Sequence, residues 1–356
     1  MGKPKVKICH AVDESAASYQ RLGNAGIDVV WESGQWDARI EYKPPEELIL
    51  DPGTVALATV ANRTLRINGV TFNSAPELRL AAYYSNGYDN IDLNAATKRG
   101  VLVMHSPTES NWGGVAEGTF TLILAMLKKV RQRDQTVKNG GWRAPSLFGT
   151  YIGSRLSDGY KGITIGIIGL GRIGSRLADL FGPWRVSLLG FDPHVEEAKF
   201  THHNVQQVDL DTLLRNSDVI TIHCDLNDET RNIISEDAIN KMKPNTIIVN
   251  TARGPCVDLD ALIGALQQGR ISGAALDAMP QEPPEHQSPL LGLEDKVLLS
   301  PHMVAANNGG GLIPAIPWVE KAILSVLKGQ VPEYVVNKEV LPLWNKRFKG
   351  KPLIFG

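Results

Sequence analysis

Thr164-Ile165-Gly166-Ile167-Ile168-Gly169-Leu170-Gly171-Arg172-Ile173-Gly174 passes from a short apolar run into a G-x-G-x-x-G turn, then into a helical pattern over residues 173–181. A strand that turns through glycines into a helix opens a dinucleotide-binding βαβ unit. Gly169 permits the tight turn, Gly171 lets the backbone approach a pyrophosphate, and Gly174 lets helix and strand pack closely. Arg172 and Ile173 begin the helix, where N–H groups without intrahelical partners meet an anion. The spacing alone is weak, because glycine fills 34 of the 356 positions; the flanking strand and helix strengthen it. Asp192 closes the next apolar run, near the ~20-residue offset at which an acid takes the adenosine ribose hydroxyls. A carboxylate there repels a 2′-phosphate, so the cofactor reads as NAD rather than NADP. The plainer alternative for Asp192 is a turn acid ahead of Pro193.

The same rhythm runs outward in both directions. Downstream, apolar runs at 163–168, 186–191, 219–223, 246–250, 274–278 and 297–299 alternate with helical patterns such as 259–268. Near-continuous apolar strands joined by helices predict a parallel sheet covered on both faces. Upstream, runs at 6–9, 27–31, 55–59, 80–83 and 101–104 predict a smaller parallel α/β domain. Between them a helical pattern spans residues 115–138, apolar first and then charged, and is closed by Asn139, Gly140 and Gly141. Residues 140–162 lack periodicity and read as a loop that wraps a neighbouring domain or subunit. Residues 317–328 predict one more amphipathic helix, and the tail 331–356 is expected to return to the first domain. The expected fold is α/β, two doubly wound parallel-sheet domains with a cleft between them. Residues 111–306 form a Rossmann cofactor domain; 1–110 and 307–356 form a smaller flavodoxin-like substrate domain.

Lys and Arg total 37 against 38 Asp and Glu, so the overall charge recruits neither nucleic acid nor an anionic membrane. Cys9, Cys224 and Cys256 lie too far apart for metal-knuckle spacing and read as reduced thiols, with no metal site expected. There is neither a signal-peptide run nor a ~20-residue apolar span. These features predict a soluble cytoplasmic protein whose partner is a small molecule.

Three polar residues follow apolar runs where α/β sheets place their ligands. They are Arg253 in Asn250-Thr251-Ala252-Arg253-Gly254, Glu282 in Gln281-Glu282-Pro283-Pro284, and His302 in Ser300-Pro301-His302. Taken singly, each is more often a surface charge or a structural histidine. The stretches GIIGLGRIG, VNTARG, AALDAMPQEPP and SPH, with GYDNIDLNAATKRGV upstream, closely resemble the D-isomer-specific 2-hydroxyacid dehydrogenase family, densely over 80–302 and weakly elsewhere. The resemblance implies an NAD-dependent oxidoreductase that moves a hydride between nicotinamide and C2 of a small 2-hydroxy acid, of glyoxylate or hydroxypyruvate type. It implies that His302 shuttles the proton, a task suited to imidazole. Glu282, bonded to the ring, would favour the imidazolium form. Arg253 would bind the substrate carboxylate and polarise the keto oxygen with its planar fork.

The resemblance extends to other positions. Thr230, Thr251, Ala252, Arg253 and His302 would border the cofactor, and Asp277 would bond the nicotinamide carboxamide unless it is a strand-end turn acid. Ser85, Asn86 and Gly87 would hold the substrate carboxylate through backbone N–H groups. Arg63 and Thr64 either reach the substrate or belong to an ordinary exposed loop. Cys224 either lines the nicotinamide pocket or is a buried structural thiol. Relatives are homodimers joined through the cofactor domain, and residues 115–138 resemble the segment that makes the contact.

Three branches of the superfamily compete. Formate dehydrogenases pair the histidine with glutamine, whereas Glu282 is acidic. Corepressors of the C-terminal-binding type share Ile222-His223-Cys224-Asp225-Leu226-Asn227, yet carry a tryptophan where this chain has Ala305. Phosphoglycerate dehydrogenases need a second phosphate site, and no basic cluster surrounds Arg63 or Ser85. The run from Met303 to Gly311 is atypical and predicts a remodelled or more mobile pocket.

Overall fold

The computed structural model describes residues 2–33, 45–61 and 65–354, so Arg63 and Thr64 lie outside the described residues. The chain divides into two compact units, Met1–Trp112 with Ala306–Gly356, and Gly113–Ala305.

The first unit begins with β1 (Lys5–Ala11), α1 (Ala17–Asn24), β2 (Asp28–Ser33), β3 (Thr54–Thr59), β4 (Leu80–Tyr83), α2 (Leu93–Arg99) and β5 (Leu102–Met104). These five strands form one parallel sheet in the order β2-β1-β3-β4-β5, a flavodoxin-like arrangement. Every residue of β3 and β4 is buried. Alternation divides their side chains between two cores: Ala56 and Ala58 join the cluster around Val6 and Ile8, while Leu57 joins that of Phe72 and Tyr83.

The second unit contains most of α3 (Glu109–Leu127), then α4 (Val130–Lys138), β6 (Thr164–Ile168), α5 (Arg172–Phe181), β7 (Ser187–Phe191), β8 (Gln206–Gln207), α6 (Leu210–Asn216), β9 (Val219–Ile222), β10 (Ile247–Asn250), α7 (Leu259–Gln268), β11 (Gly273–Leu276) and β12 (Val297–Leu299). Its seven strands are parallel in the order β8-β7-β6-β9-β10-β11-β12. The direction of winding reverses between β6 and β9, and a crevice at such a switch point is where α/β sheets bind ligands.

Helices α8 (Ile316–Leu327) and α9 (Leu341–Phe348) then return to the first unit. Trp344 of α9 is fully buried there, and its indole N–H donates to the carbonyl of Arg79 at 3.0 Å. A buried indole needs such a partner.

Two details depart from the sequence pattern. The helix expected over 115–138 starts at Glu109, because the Thr108 carbonyl accepts from Asn111 and Trp112 and opens it earlier. It also breaks at Lys129, a left-handed residue with φ 53°. The Thr150 N–H takes the last carbonyl of α3, Leu127, at 2.8 Å, and Lys128 and Lys129 reach the carbonyls of Thr150 and Ser146. The aperiodic stretch after α4 therefore caps α3 in place of further helix.

Candidate active site

At the switch point, Gly169 adopts φ +92°, and a Cβ there would lie 2.7 Å from the backbone nitrogen of Cys224 at the end of β9. Gly174 is a second close approach, since its Cβ would lie 2.2 Å from the carbonyl oxygen of Gly169. At Gly171 the same direction is open for 4 Å, and this residue starts α5 with no side-chain cap. The first N–H groups of α5 are thus available to an anion. Asp192, just past β7, accepts from Leu170 N (2.9 Å) through one oxygen and from His194 N (3.0 Å) through the other. The carboxylate is held against the glycine turn, with acceptor capacity left on each oxygen. Uncapped donors, open space at Gly171 and an oriented acid fit a dinucleotide.

The three polar residues chosen from the sequence lie on loops that follow β10, β11 and β12, and backbone contacts tie these loops together. Asn250 ends β10 and turns the first: its Oδ1 accepts from Ala252 N (3.1 Å) and its Nδ2 donates to the Arg253 carbonyl (2.9 Å). The Asn250 carbonyl also accepts from Asp277 and Ala278 of the second loop. Gly254 packs directly on that loop, since a Cβ there would lie 2.0 Å from the Met279 carbonyl carbon. Met279 N in turn donates to Glu282 Oε1 at 2.7 Å. The other oxygen of Glu282 meets His302 Nδ1 at 2.8 Å. Glu282 is sheltered, with 12% of its side chain exposed, and His302 is open at 44%, so the ring is reachable while its carboxylate partner is not.

The profile of the D-isomer specific 2-hydroxyacid dehydrogenase, NAD binding domain, matches residues 120–304. The chain belongs to this dehydrogenase family. It is 36% identical over 342 residues to a glyoxylate reductase of Thermofilum pendens, covering 96% of both chains. It is 34% identical over 333 residues to a D-3-phosphoglycerate dehydrogenase of Archaeoglobus fulgidus, covering 94% of this chain and 59% of that one. A D-lactate dehydrogenase from Aquifex aeolicus, solved with NAD and lactic acid, superposes with a TM-score of 0.75 at 25% identity, covering 91% of this chain and 96% of that one. The dehydrogenase is an oxidoreductase that uses NAD, and its dinucleotide-binding unit is the one built around β6 and α5.

Within this dehydrogenase the remaining predicted residues are placed as follows. Asp277 is only 4% exposed; its Oδ1 accepts from Ser300 Oγ (2.5 Å), Met303 N (2.9 Å) and Val304 N (3.2 Å), so it grips the chain on both sides of His302. His302 itself has φ +56°, an uncommon backbone state for a non-glycine residue. Thr251 Oγ1 pairs with Thr119 Oγ1 of α3 at 2.8 Å, and the Arg253 guanidinium donates to the Ala252 carbonyl at 2.8 Å. Cys224 hydrogen-bonds to Cys256; this bond, and then burial, push the Cys224 thiol well above its ordinary range. Thr230 uses its hydroxyl within its own loop, donating to the Asp225 carbonyl at 2.6 Å and accepting from Asn227 N at 2.8 Å. In the first unit, Ser85 Oγ accepts from Ala61 N and donates to the Gly87 carbonyl, and the Asn86 carbonyl bonds His105 Nδ1. These contacts stiffen the 85–87 turn.

Sequence reasoning passed over Asn250 and Ser300. Both lie inside the quoted motifs at strand ends, and a polar residue ending a buried strand was the signal available. It also passed over His223, whose Nε2 bonds Thr221 Oγ1 at 2.9 Å while its buried Nδ1 has no partner among the described residues. Burial pushes its pKa down to about 3.

Proposed function

We propose that this dehydrogenase reduces a small 2-keto acid of the glyoxylate or hydroxypyruvate type to the D-2-hydroxy acid, with Arg253, Glu282 and His302 as the reacting trio. The observation that carries the proposal is the 2.8 Å bond from His302 Nδ1 to the sheltered Glu282 carboxylate. That bond orients the ring and leaves Nε2 for the substrate oxygen. During reduction the ring is the proton donor to the substrate oxygen. Arg253 binds the substrate carboxylate and draws charge toward the keto oxygen. NADH, held at the glycine turn and the first N–H groups of α5, would supply the hydride for C2. His302 then delivers its proton to the oxygen on that carbon, which completes the alcohol, and solvent reprotonates the ring.

The unit Gly113–Ala305 serves as cofactor domain and the other unit as substrate domain. The names of the sequence relatives support the glyoxylate choice. The phosphoglycerate reading has less support, because this chain covers only 59% of that relative. Among the described residues no helix is long and apolar enough to cross a membrane, in keeping with a cytoplasmic enzyme. A homodimer through the cofactor unit accounts for Trp142, Phe148 and Leu156, exposed at 70%, 75% and 92% on the stretch that caps α3.

The test is an NADH-oxidation assay of the purified protein against a panel of 2-keto acids. Glyoxylate or hydroxypyruvate should be reduced fastest, with one NADH consumed per product. Tight NADH binding without turnover of any 2-keto acid would overturn the proposal in favour of a corepressor-like scaffold.

A further inference from the structure

The Arg253 and His302 loops share one support. Val304, two residues after His302, packs on α3 at Gly118: a Cβ there would lie 2.1 Å from Val304 Cγ2 and 2.6 Å from the Val304 carbonyl oxygen. The first contact could be relieved by a side-chain rotation. The second is with backbone, so any residue other than glycine must lift the loop. In a helix, alanine is intrinsically the better residue, and glycine at this position is explained only by what lies against it.

The next residue, Thr119, is fully buried and holds the other loop. Its hydroxyl donates to the Val115 carbonyl at 2.7 Å. A hydroxyl has one proton, so the 2.8 Å contact with Thr251 is made by the Thr251 hydroxyl donating into Thr119 Oγ1. Thr251 stands two residues before Arg253, and the Arg253 carbonyl is fixed by Asn250.

We propose that Gly118 and Thr119 are positioning residues for the reaction: Gly118 seats the His302 loop, Thr119 seats the Arg253 loop, and one turn of α3 thereby sets the separation of proton donor and carboxylate-binding guanidinium. The proposal rests on the roles assigned above to His302 and Arg253. Asp277 transmits the seating, because it binds Ser300, Met303 and Val304 together and leaves the segment little room to adjust. A shift of Val304 therefore reaches the His302–Glu282 bond instead of being absorbed between them.

The experiment uses the full chain with Gly118→Ala, Thr119→Val and Thr119→Ser. It measures kcat, KM for the best 2-keto acid, the pH–rate profile, NADH affinity by fluorescence and the His302 ring-proton NMR titration. Gly118→Ala should lower kcat on the order of 100-fold, the effect of an ~1 Å misplacement. Its pH–rate profile should change, while NADH affinity stays within about twofold, since the phosphate loop is untouched. Thr119→Val, which keeps shape but loses the acceptor, should raise KM, and Thr119→Ser should restore it.

Unchanged kcat and pH profile in Gly118→Ala would overturn the proposal, as would equal behaviour of the Val and Ser variants. If Gly118→Ala does not fold, the Thr119 pair decides. If the wild type turns over no 2-keto acid, the reaction assignment fails separately. The seat is then judged by the NMR titration alone: an altered His302 titration in Gly118→Ala supports it, and an unaltered one refutes it.

Discussion

The glycine turn and the loops that carry Arg253, Glu282 and His302, proposed here for proton transfer, lie in the same unit but are held by contacts of different reach. Around Gly169–Gly174 most contacts are short in sequence: Gly174 lies against the Gly169 carbonyl and Leu170 bonds Asp192 one strand later, the approach of Gly169 to Cys224 being the exception. Around His302 they are long: Glu282 is 20 residues away, Asp277 is bonded through residues 23 to 27 positions distant, and Val304 rests on Gly118 of α3. Anion binding needs a turn and a helix end, which one βαβ segment can build. Proton transfer needs an acid, its carboxylate partner and a guanidinium in fixed relation, and separate strands must be brought together to supply them.

The comparison breaks most visibly at His302. His302→Ala should cost roughly 10²- to 10⁴-fold in kcat, the range of a lost general acid, with NADH affinity nearly intact; steady-state kinetics beside fluorescence titration read both. Wild-type turnover in this variant would remove the residue from the mechanism.

The converse break is Gly174→Ala. Its Cβ meets backbone, and overpacking of this kind costs about 1–3 kcal/mol, roughly a ten- to hundredfold weakening of NADH binding. At saturating NADH, kcat should recover. Equal loss of kcat would mean that the two regions are not separable.

A smaller effect sharpens the cofactor side. Asp192→Ala removes a negative charge beside the expected ribose position and should shift the NADPH-to-NADH preference by about tenfold. An unmoved ratio of kcat/KM values would place cofactor choice elsewhere.

A last effect, on stability and not on catalysis, concerns His223, which adjoins the phosphate loop through the Ile168 carbonyl. Its folded pKa of about 3 lies below the ordinary 6.5, so the buried ring stays neutral while the unfolded chain takes up a proton. The stability contribution is present above pH 6.5 and is lost as pH falls toward 3, by up to about 1.4 kcal/mol per pH unit. Denaturant unfolding at several pH values should show a flatter acid dependence in His223→Gln. The same slope in both proteins would contradict the assignment.

Much of this protein was legible before folding. Among the described residues the apolar runs mark eleven strands of the two large sheets to within a residue or two, because buried parallel strands are apolar on both faces. The helix over 259–268 coincides with α7. The two-residue strand Gln206–Gln207 was missed, being polar and exposed at a sheet edge. The break at Lys129 was missed because its cause is Thr150, and the seat at Gly118 because its cause is Val304.

The sequence alone determined that a glycine turn joins a strand to a helix, that an acid follows, and that Arg253, Glu282 and His302 stand at strand ends. These are consequences of local backbone preference and of period-2 and period-3.6 patterning. Only the tertiary structure decided that Glu282 bonds His302, that Asp277 clasps the histidine loop, and that adjacent residues of α3 rest against Val304 and Thr251. Contacts of that reach depend on how strands order and helices pack, and a residue's identity carries no record of which distant backbone will come to rest against it.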